Sequence, residues 1–197
     1  MLWTLIRRFL KFELDSYLNG RKGEAVGEQP LYRVENQGYV HYRKGSLVFY
    51  LLQERLGEDA VNRALSRFIQ TWKFKGAPYH RSVDLIAELR KEAKTPEQQA
   101  LITDLFEKIT VYDLKAKEAK AVKGRDGLWQ TTITVEAQKY YADEKGVEKE
   151  AGLSEGIEIG LLNERPGIGA FGKKDVNQIE RRPVKNGKQQ IVVTSKT

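Results

Sequence analysis

The stretch ENQGYVHYRKGSLVFYLL, residues 35–52, decides how the rest of the chain is interpreted. Its polar, extended beginning leads through Tyr42 into an apolar helix. That helix is predicted to start near Lys44 and to stop at Gly57, a residue type favoured at helix C-termini. Gly45 has no β-carbon, so the first turn of this helix is expected to press against another backbone.

Tyr42 is the candidate catalytic residue of the chain. It lies just before a rigid helix, which can aim the side chain into a cleft. A phenol so placed can donate a hydrogen bond to developing negative charge. The alternative is that Tyr42, one of nine tyrosines, caps a hydrophobic core. The short sequence Tyr-x-Lys-Gly does not by itself decide between the two.

The first half of the chain is predicted to be helical. Apolar residues recur at spacings of three and four from Leu2 to Leu18, and Asn19-Gly20 is expected to end this first helix. The next stretch, residues 21–36, has no period and is predicted to be a loop. A third helix carries an apolar face from Val61 to Trp72.

Two capping signals mark the later helices. Ser82 is a plausible N-cap for a fourth helix with four buried apolar residues, Val83, Ile86, Ala87 and Leu89. Thr95-Pro96-Glu97-Gln98 is the clearest local signal, because Thr95 can cap, Pro96 suits the first helical position and Gln98 can reach back. The fifth helix then carries Leu101, Ile102, Leu105 and Phe106.

After Glu107 the pattern changes to short strands. Ile109–Leu114 is β-rich, and residues 128–140 alternate, with Ile133, Val135 and Ala137 on one face. Residues 157–161 alternate again, and Asn186-Gly187 predicts a tight hairpin between the strands that flank it. Strands separated by turns indicate an antiparallel β-sandwich after the helices, so the fold class is α+β with a boundary near Glu107.

Composition excludes several classes of protein. The chain has no cysteine, which rules out disulfides and thiolate metal sites, and no apolar run long enough to span a membrane. The net charge is +7, but residues 1–107 carry 17 basic and 14 acidic residues and residues 108–197 carry 17 and 13. Because the charge is spread evenly, a nucleic-acid partner is not expected.

No complete active site is visible from the residue types alone. The two histidines, His41 and His80, are far apart in sequence and form no His-Glu-x-x-His pair, so no zinc site of that type is expected. His41, beside Tyr42, is a candidate ligand or base, or simply a hydrogen-bonded surface group. Gly167-Ile168-Gly169 is a glycine-rich turn without a following helix, so it is no nucleotide-binding fingerprint.

Six short strings within residues 5–115 are together more informative. They are Tyr42-x-Lys44-Gly45, Glu13-Leu14-Asp15-x-Tyr17-Leu18-x-Gly20-Arg21, Gln37-x-Tyr39, Leu56-Gly57-Glu58, Pro78-Tyr79 and Asp104-Leu105-Phe106-Glu107-x-Ile109-Thr110. This set resembles the aminopeptidase N family of zinc metallopeptidases, the gluzincins, and most closely bacterial members fused to a membrane permease region. In that family the tyrosine of Tyr-x-Lys-Gly donates to the oxyanion of the tetrahedral intermediate, and Tyr42 is the matching position.

The resemblance implies a domain arrangement and a longer parent protein. Residues 1–107 would be the helical C-terminal part of the peptidase catalytic domain, and residues 108–197 the β-sandwich that follows it. The family's zinc ligands, two histidines and a glutamate, and its general-base glutamate all lie upstream, so Met1 is not expected to be a natural start. The chain alone is expected to hold no cofactor and to be inactive. The parent would use zinc to hydrolyse N-terminal residues from peptides.

The expected partners follow from the same resemblance. They are the upstream zinc-bearing part of the same protein, a peptide substrate in the parent, and a second copy of the chain. The last would bind through an exposed apolar face of the first helix around Trp3, Ile6 and Leu10. This chain is expected to be soluble and the parent to be anchored in a bacterial membrane. The alternative, from a different class, is a non-enzymatic protein-interaction module whose helices and sandwich dock a partner.

Overall fold

A computed structural model of the chain describes residues 2–164 and 172–196, and in the first helix it describes the side chains of residue 6 and of residues 8 onward. The glycine-rich turn Gly167-Ile168-Gly169 and the side chain of Trp3 lie outside this description.

Helices come first in the chain and antiparallel strands follow, which confirms the mixed α+β class. The helices are α1 (Leu2–Lys22), α2 (Gly45–Leu56), α3 (Glu58–Trp72), α4 (Ser82–Glu92) and α5 (Pro96–Ile102). A π-helical segment, Tyr39–Lys44, runs into α2, and a second, Thr103–Glu107, follows α5. Among the described helices, none is long and apolar enough to cross a lipid bilayer.

The core of the helical part joins α2, α3, α4 and the end of α5. It is built on nine buried residues, Val48, Leu52, Val61, Ala64, Ile86, Leu89, Ala93, Ile102 and Phe106. Among its described residues, α1 contributes none to this core. Helix α1 is therefore held by something other than the main apolar cluster.

The predicted end of the first helix at Asn19-Gly20 is wrong, because α1 continues to Lys22. A β-carbon added to Gly20 would lie 2.3 Å from Cβ of Tyr39, so no side chain fits there. Gly20 thus serves a close approach between two helical segments and does not terminate one.

The predicted helix boundaries are confirmed at two points. The amide of Gln98 donates to Oγ1 of Thr95 at 3.2 Å, and Oε1 of Gln98 accepts from the Thr95 amide at 3.3 Å. Gly57 ends α2 with φ of 93°, which a glycine adopts without strain.

The fourth helix differs in detail. Arg81 occupies the N-cap position and Ser82 is the first helical residue. Ile86 and Leu89 are buried as predicted, but Val83 and Ala87 are exposed. The apolar face of α4 is therefore narrower than its composition indicates.

The strands of the described chain form two sheets. They are β1 (Ile109–Lys123), β2 (Trp129–Ala142), β3 (Glu148–Ala151), β4 (Ser154–Leu162), β5 (Val176–Lys185) and β6 (Gly187–Ser195). In one sheet β2 pairs with β1, β3 and β6, and in the other β4 pairs with β5. The sequence predicts a short strand that stops at Leu114, but β1 runs on to Lys123. The side chains of this extension are exposed and show no alternation, and pairing with β2 keeps its backbone extended.

The hairpin predicted at Asn186-Gly187 is wrong. β5 pairs with β4, whereas β6 pairs antiparallel with β2, so the chain passes from one sheet to the other at Asn186. The side chain of Asn186 accepts from the Lys139 amide at 3.2 Å and donates to the Ala151 carbonyl at 2.8 Å. These bonds link Asn186 to β2 and β3 and replace the bonds of a hairpin turn.

Strands of both sheets contribute to a single apolar core. The predicted face of β2, Ile133, Val135 and Ala137, is buried there, which confirms the alternation. The other buried members come from the segment before β4 and from β4, β5 and β6: Leu153, Ile159, Val184, Ile191 and Val193.

The described chain divides into two compact units. The first is the chain up to Thr110 together with Tyr141–Glu148, and the second is Val111–Tyr140 with the chain from Lys149 onward. The tip of the β2–β3 connection thus belongs with the helices. Its Tyr141 hydroxyl donates to Oδ1 of Asp104 at 2.7 Å, and Glu144 forms an ion pair with Arg33.

Candidate functional site around Tyr42

Tyr42 lies inside a helical turn, although the sequence predicts an extended chain that only approaches a helix. The amides of Val40 and His41 both donate to the Gln37 carbonyl, at 3.0 and 3.1 Å, and the backbone continues as the π-helical segment Tyr39–Lys44 into α2. Such short π-helical segments are rare in proteins and occur frequently at functional sites.

The Tyr42 side chain is presented outward from this turn. It is 70 % exposed, while Val40 on the same turn is fully buried. Its ring lies against the ring of His41, with centroids 4.3 Å apart. Within the described residues, no hydrogen bond engages the Tyr42 hydroxyl, so the donor is free for a ligand.

The residue after Tyr42 is fixed by a carboxylate of α1. Nη1 of Arg43 lies 2.9 Å from Oε1 of Glu13, and Glu13 is buried. The Arg43 guanidinium also lies 5.2 Å from the centroid of the Phe12 ring. The Arg43 side chain therefore holds the turn against α1 by an ion pair and by a cation–π contact.

The next residue, Lys44, is held by a second buried carboxylate. Its Nζ lies 2.6 Å from Oε1 of Glu28, and the hydroxyl of Tyr17 donates to Oε2 of the same carboxylate at 2.8 Å. Nε of Arg21 lies 3.5 Å from that oxygen. Burial, followed by the negative charge of Glu28, raises the pKa of the Tyr17 phenol, so Tyr17 remains a neutral donor to Glu28.

Tyr39 anchors the beginning of the turn. Its ring lies over Gly20 and its centroid is 6.1 Å from that of Tyr17. The Tyr39 hydroxyl is buried and has no hydrogen-bond partner among the described residues. Burial, together with the charges of Glu24 and Glu28, raises the pKa of this phenol.

Gln37 fixes the loop that precedes the turn. Its side-chain amide donates to the Gly27 carbonyl at 2.7 Å and to Glu24 at 2.8 Å, and its Oε1 accepts from the Gln29 amide at 2.9 Å. Gln37 is buried, so these bonds also satisfy a polar group that would otherwise be costly.

The expectation for Gly45 is not met. A β-carbon there would meet only the Val40 carbonyl oxygen at 3.9 Å, which is ordinary van der Waals contact. A close approach to another backbone is made instead by Gly27, which lies against the backbone of Glu144, whereas Gly20 makes room for the Tyr39 side chain.

No metal centre is formed by the described residues. They contain no group of three or more histidine, aspartate or glutamate side chains placed to hold a metal ion. His41 lies on Tyr42, whereas the ring of His80 packs against Phe68 and Trp72. These side chains do not fit a zinc site.

Comparisons of the chain with models of protein families, with curated proteins and with solved structures give no match. The family resemblance therefore rests on the quoted residues alone.

Tyr42 can be singled out in the sequence, but the carboxylates that hold its turn cannot be found as easily. For Glu13 a signal existed, since the positions 6, 10, 13 and 17 form one stripe of a helix and Glu13 is the charged member of that stripe. For Glu28 no local signal existed, because it lies in an aperiodic loop and its role depends on Lys44, sixteen residues later.

Proposed function

We propose that this chain is the C-terminal portion of an aminopeptidase N-like zinc metallopeptidase, and that Tyr42 donates a hydrogen bond to the oxyanion formed during peptide hydrolysis. The observation that carries the proposal is an exposed phenol with an unbonded hydroxyl on a turn whose neighbouring side chains are locked. The donor is therefore accessible to a ligand, and the backbone turn that carries it is held by two ion pairs.

The ion pairs made by the two residues after Tyr42 favour this role over a purely structural one. Stabilisation of a transition state requires a donor held to within about half an ångström of its productive position. Arg43 and Lys44 hold the turn through the buried carboxylates Glu13 and Glu28, and neither pair uses the Tyr42 hydroxyl.

Residues of the string Glu13–Arg21 contact the Tyr42 turn and the loop before it. Glu13 pairs with Arg43, Tyr17 donates to Glu28, and Gly20 lies against Tyr39, which belongs to a second string. Residues distant in sequence that form one packed cluster are expected to constrain each other. Their convergence on the Tyr42 turn supports a common origin for the set.

The second compact unit fits the remainder of the proposal. Strands of its two sheets contribute to one apolar core, and this shared core supports the proposed antiparallel β-sandwich. We assign this unit to the sandwich that follows the catalytic domain in the family, and the helices to the end of that catalytic domain.

Helix α1 indicates where the upstream zinc-bearing part would bind. The helix docks on the rest of its unit through Glu13, Tyr17 and Gly20, and four large apolar side chains stay exposed on it: Phe9, Phe12, Leu14 and Leu18. Phe9 and Phe12 lie one turn apart, as do Leu14 and Leu18, and exposed apolar patches mark interaction surfaces. The same observation favours the second candidate function, a non-enzymatic module that docks another protein.

The reading frame upstream of residue 1 distinguishes these two functions. A His-Glu-x-x-His sequence followed by a further glutamate, in frame with this chain, would support the peptidase. A functional promoter and start codon at Met1, with no such sequence in frame, would overturn it and leave the interaction module. Recombinant expression of the longer frame then provides the protein for kinetic tests.

A further inference from the structure

The loop between α3 and α4, residues 73–81, is a basic and aromatic surface that the proposed function does not use. Its sequence, KFKGAPYHR, contains Lys73, Lys75 and Arg81 and no carboxylate. All nine residues are exposed, and Phe74 is 100 % exposed. We call this segment the basic–aromatic loop.

Phe74 is the third residue of a β-turn that ends α3, in which the Lys75 amide donates to the Trp72 carbonyl at 3.2 Å. Its φ is 60°, a left-handed conformation that is uncommon for residues other than glycine, asparagine and aspartate. The fully exposed ring gains no packing energy to offset this strain. Residues in such strained conformations cluster at active sites, ligand clamps and switch regions.

The loop is held at both ends, so Phe74 projects from a defined base. The Lys73 amide donates to the Ile69 carbonyl at 2.8 Å, and Nζ of Lys75 lies 5.4 Å from the centroid of the Trp72 ring. At the other end, the His80 ring packs edge-on against Phe68, with centroids 5.2 Å apart.

We propose that the basic–aromatic loop binds the surface of a lipid bilayer that contains anionic lipids. Phe74 inserts at the boundary of headgroups and acyl chains, and Lys73 and Lys75 lie at the lipid phosphates. An apolar side chain gains free energy in that zone, and each nearby lysine adds attraction to an anionic surface. The proposal is independent of the peptidase assignment, since it uses none of the residues around Tyr42.

The loop fits a membrane surface better than a nucleic acid, although both attract lysines and aromatic rings. Proteins that bind single strands stack successive bases in a positively charged groove. Here the Phe74 ring is fully exposed to solvent. The sequence shows no second run of basic residues next to the loop, because its charge is spread evenly along the chain. A single projecting phenylalanine between two lysines offers an insertion point and no stacking platform.

Vesicle flotation with the full chain tests the electrostatic half of the proposal. The chain should float with vesicles of phosphatidylcholine mixed with phosphatidylglycerol and not with phosphatidylcholine alone. Lys73→Gln with Lys75→Gln should weaken binding roughly thirtyfold, at about 1 kcal/mol for each lysine. Lys145→Gln with Lys149→Gln removes the same charge from exposed positions outside the loop and should change binding little.

Phe74→Asn tests the apolar half and separates binding from folding. Asparagine tolerates positive φ, so the melting temperature should stay the same or rise, while vesicle affinity falls about tenfold. Val26→Asn removes another apolar side chain, 82 % exposed, and should leave affinity unchanged.

Two results would overturn the proposal. One is that the loop variants bind anionic vesicles as tightly as the unaltered chain. The other is that the unaltered chain fails to float with the anionic vesicles. If it then binds a labelled single-stranded oligonucleotide through Lys73 and Lys75, the loop is a nucleic-acid site.

Discussion

Nζ of Lys44 lies 2.6 Å from Oε1 of Glu28, and both side chains are largely withdrawn from solvent. Two residues before Lys44, the Tyr42 phenol is exposed. The turn thus combines a buried ion pair, which resists movement, with a free donor at its surface. In this chain the lysine of Tyr-x-Lys-Gly binds Glu28 and so fixes the turn that carries the tyrosine.

Removal of one partner of this pair should destabilise the helical unit. Glu28→Gln leaves Lys44 buried without a counter-charge, and loss of one member of a buried pair typically costs about 3–5 kcal/mol. Urea denaturation, followed by the far-UV signal of the helices, measures the change. Lys11→Gln, which breaks the exposed pair with Asp15, should cost less than about 1 kcal/mol. Equal costs for the two variants would show that the Lys44–Glu28 pair is not a structural anchor.

Stability should fall in acid because the Glu92 carboxylate at the end of α4 binds two arginines of α3. Hydrogen bonds and ion pairs with Arg63 and Arg67 lower the pKa of Glu92 from its ordinary 4.5 to about 2. A lowered pKa means that this stabilisation is complete above about pH 4.5 and is lost as the pH falls towards 2. Glu92→Gln should reduce the slope of unfolding free energy against pH in that window. An unchanged slope would contradict the assignment.

Gly20→Ala should destabilise the chain, although alanine normally stabilises a helix relative to glycine by up to about 1 kcal/mol. The added β-carbon would lie 2.3 Å from Cβ of Tyr39 and would push the Tyr39–Lys44 turn away from α1. Overpacking of this kind costs about 1–3 kcal/mol, which exceeds the gain in helix propensity. Gly38→Ala is the matched control, since its φ is −57° and nothing lies within 4 Å of the added carbon. Thermal denaturation of both variants should therefore give shifts of different size, and a stabilised Gly20→Ala would refute the close contact.

Self-association should depend on exposed side chains of α1 rather than on Ile6 and Leu10, two of the three residues that the sequence predicts. Ile6 and Leu10 are half-buried, whereas Phe9 and Phe12 are exposed. Phe9→Gln with Phe12→Gln should reduce dimer formation in sedimentation velocity, and Val122→Gln, on β1, should not. A chain that remains monomeric at high concentration would contradict the prediction.

Local signals in the sequence were reliable where neighbours along the chain provide the partners. Thr95 with Gln98, the end of α2 at Gly57 and the alternation of β2 all depend on residues within a few positions. The physical cause of each feature is contained in the string that predicts it, so no distant contact can easily change the result.

Signals failed where a distant residue determines the outcome. Gly20 ends a helix by propensity, but Tyr39 occupies the space beside it and the helix continues. Asn186-Gly187 favours a hairpin, but the Asn186 side chain bonds to the Ala151 carbonyl and the two strands join different sheets. The candidate site follows the same rule. Tyr42 can be predicted from the residues beside it, whereas the contact of Glu28 with Lys44 cannot.

The last prediction concerns Tyr42 in the longer parent protein and rests on the proposed function. Tyr42→Phe removes only the exposed hydroxyl, and no hydrogen bond within the described residues is lost, so folding should be unaffected. Loss of one donor to an oxyanion typically lowers kcat by about 10²–10³. The donor acts mainly in the transition state, so KM should change little. Steady-state hydrolysis of an aminoacyl substrate measures both constants.

Two conservative variants control for this result. Tyr79→Phe removes a hydroxyl from a tyrosine of similar exposure in the helical unit and should leave turnover unchanged. Tyr39→Phe removes a buried hydroxyl that has no partner among the described residues, so stability should be equal or higher and turnover nearly normal. If Tyr42→Phe keeps the turnover of the unaltered enzyme, the free phenol is not the oxyanion donor. If Tyr39→Phe lowers turnover and Tyr42→Phe does not, the reaction depends on the buried Tyr39 hydroxyl.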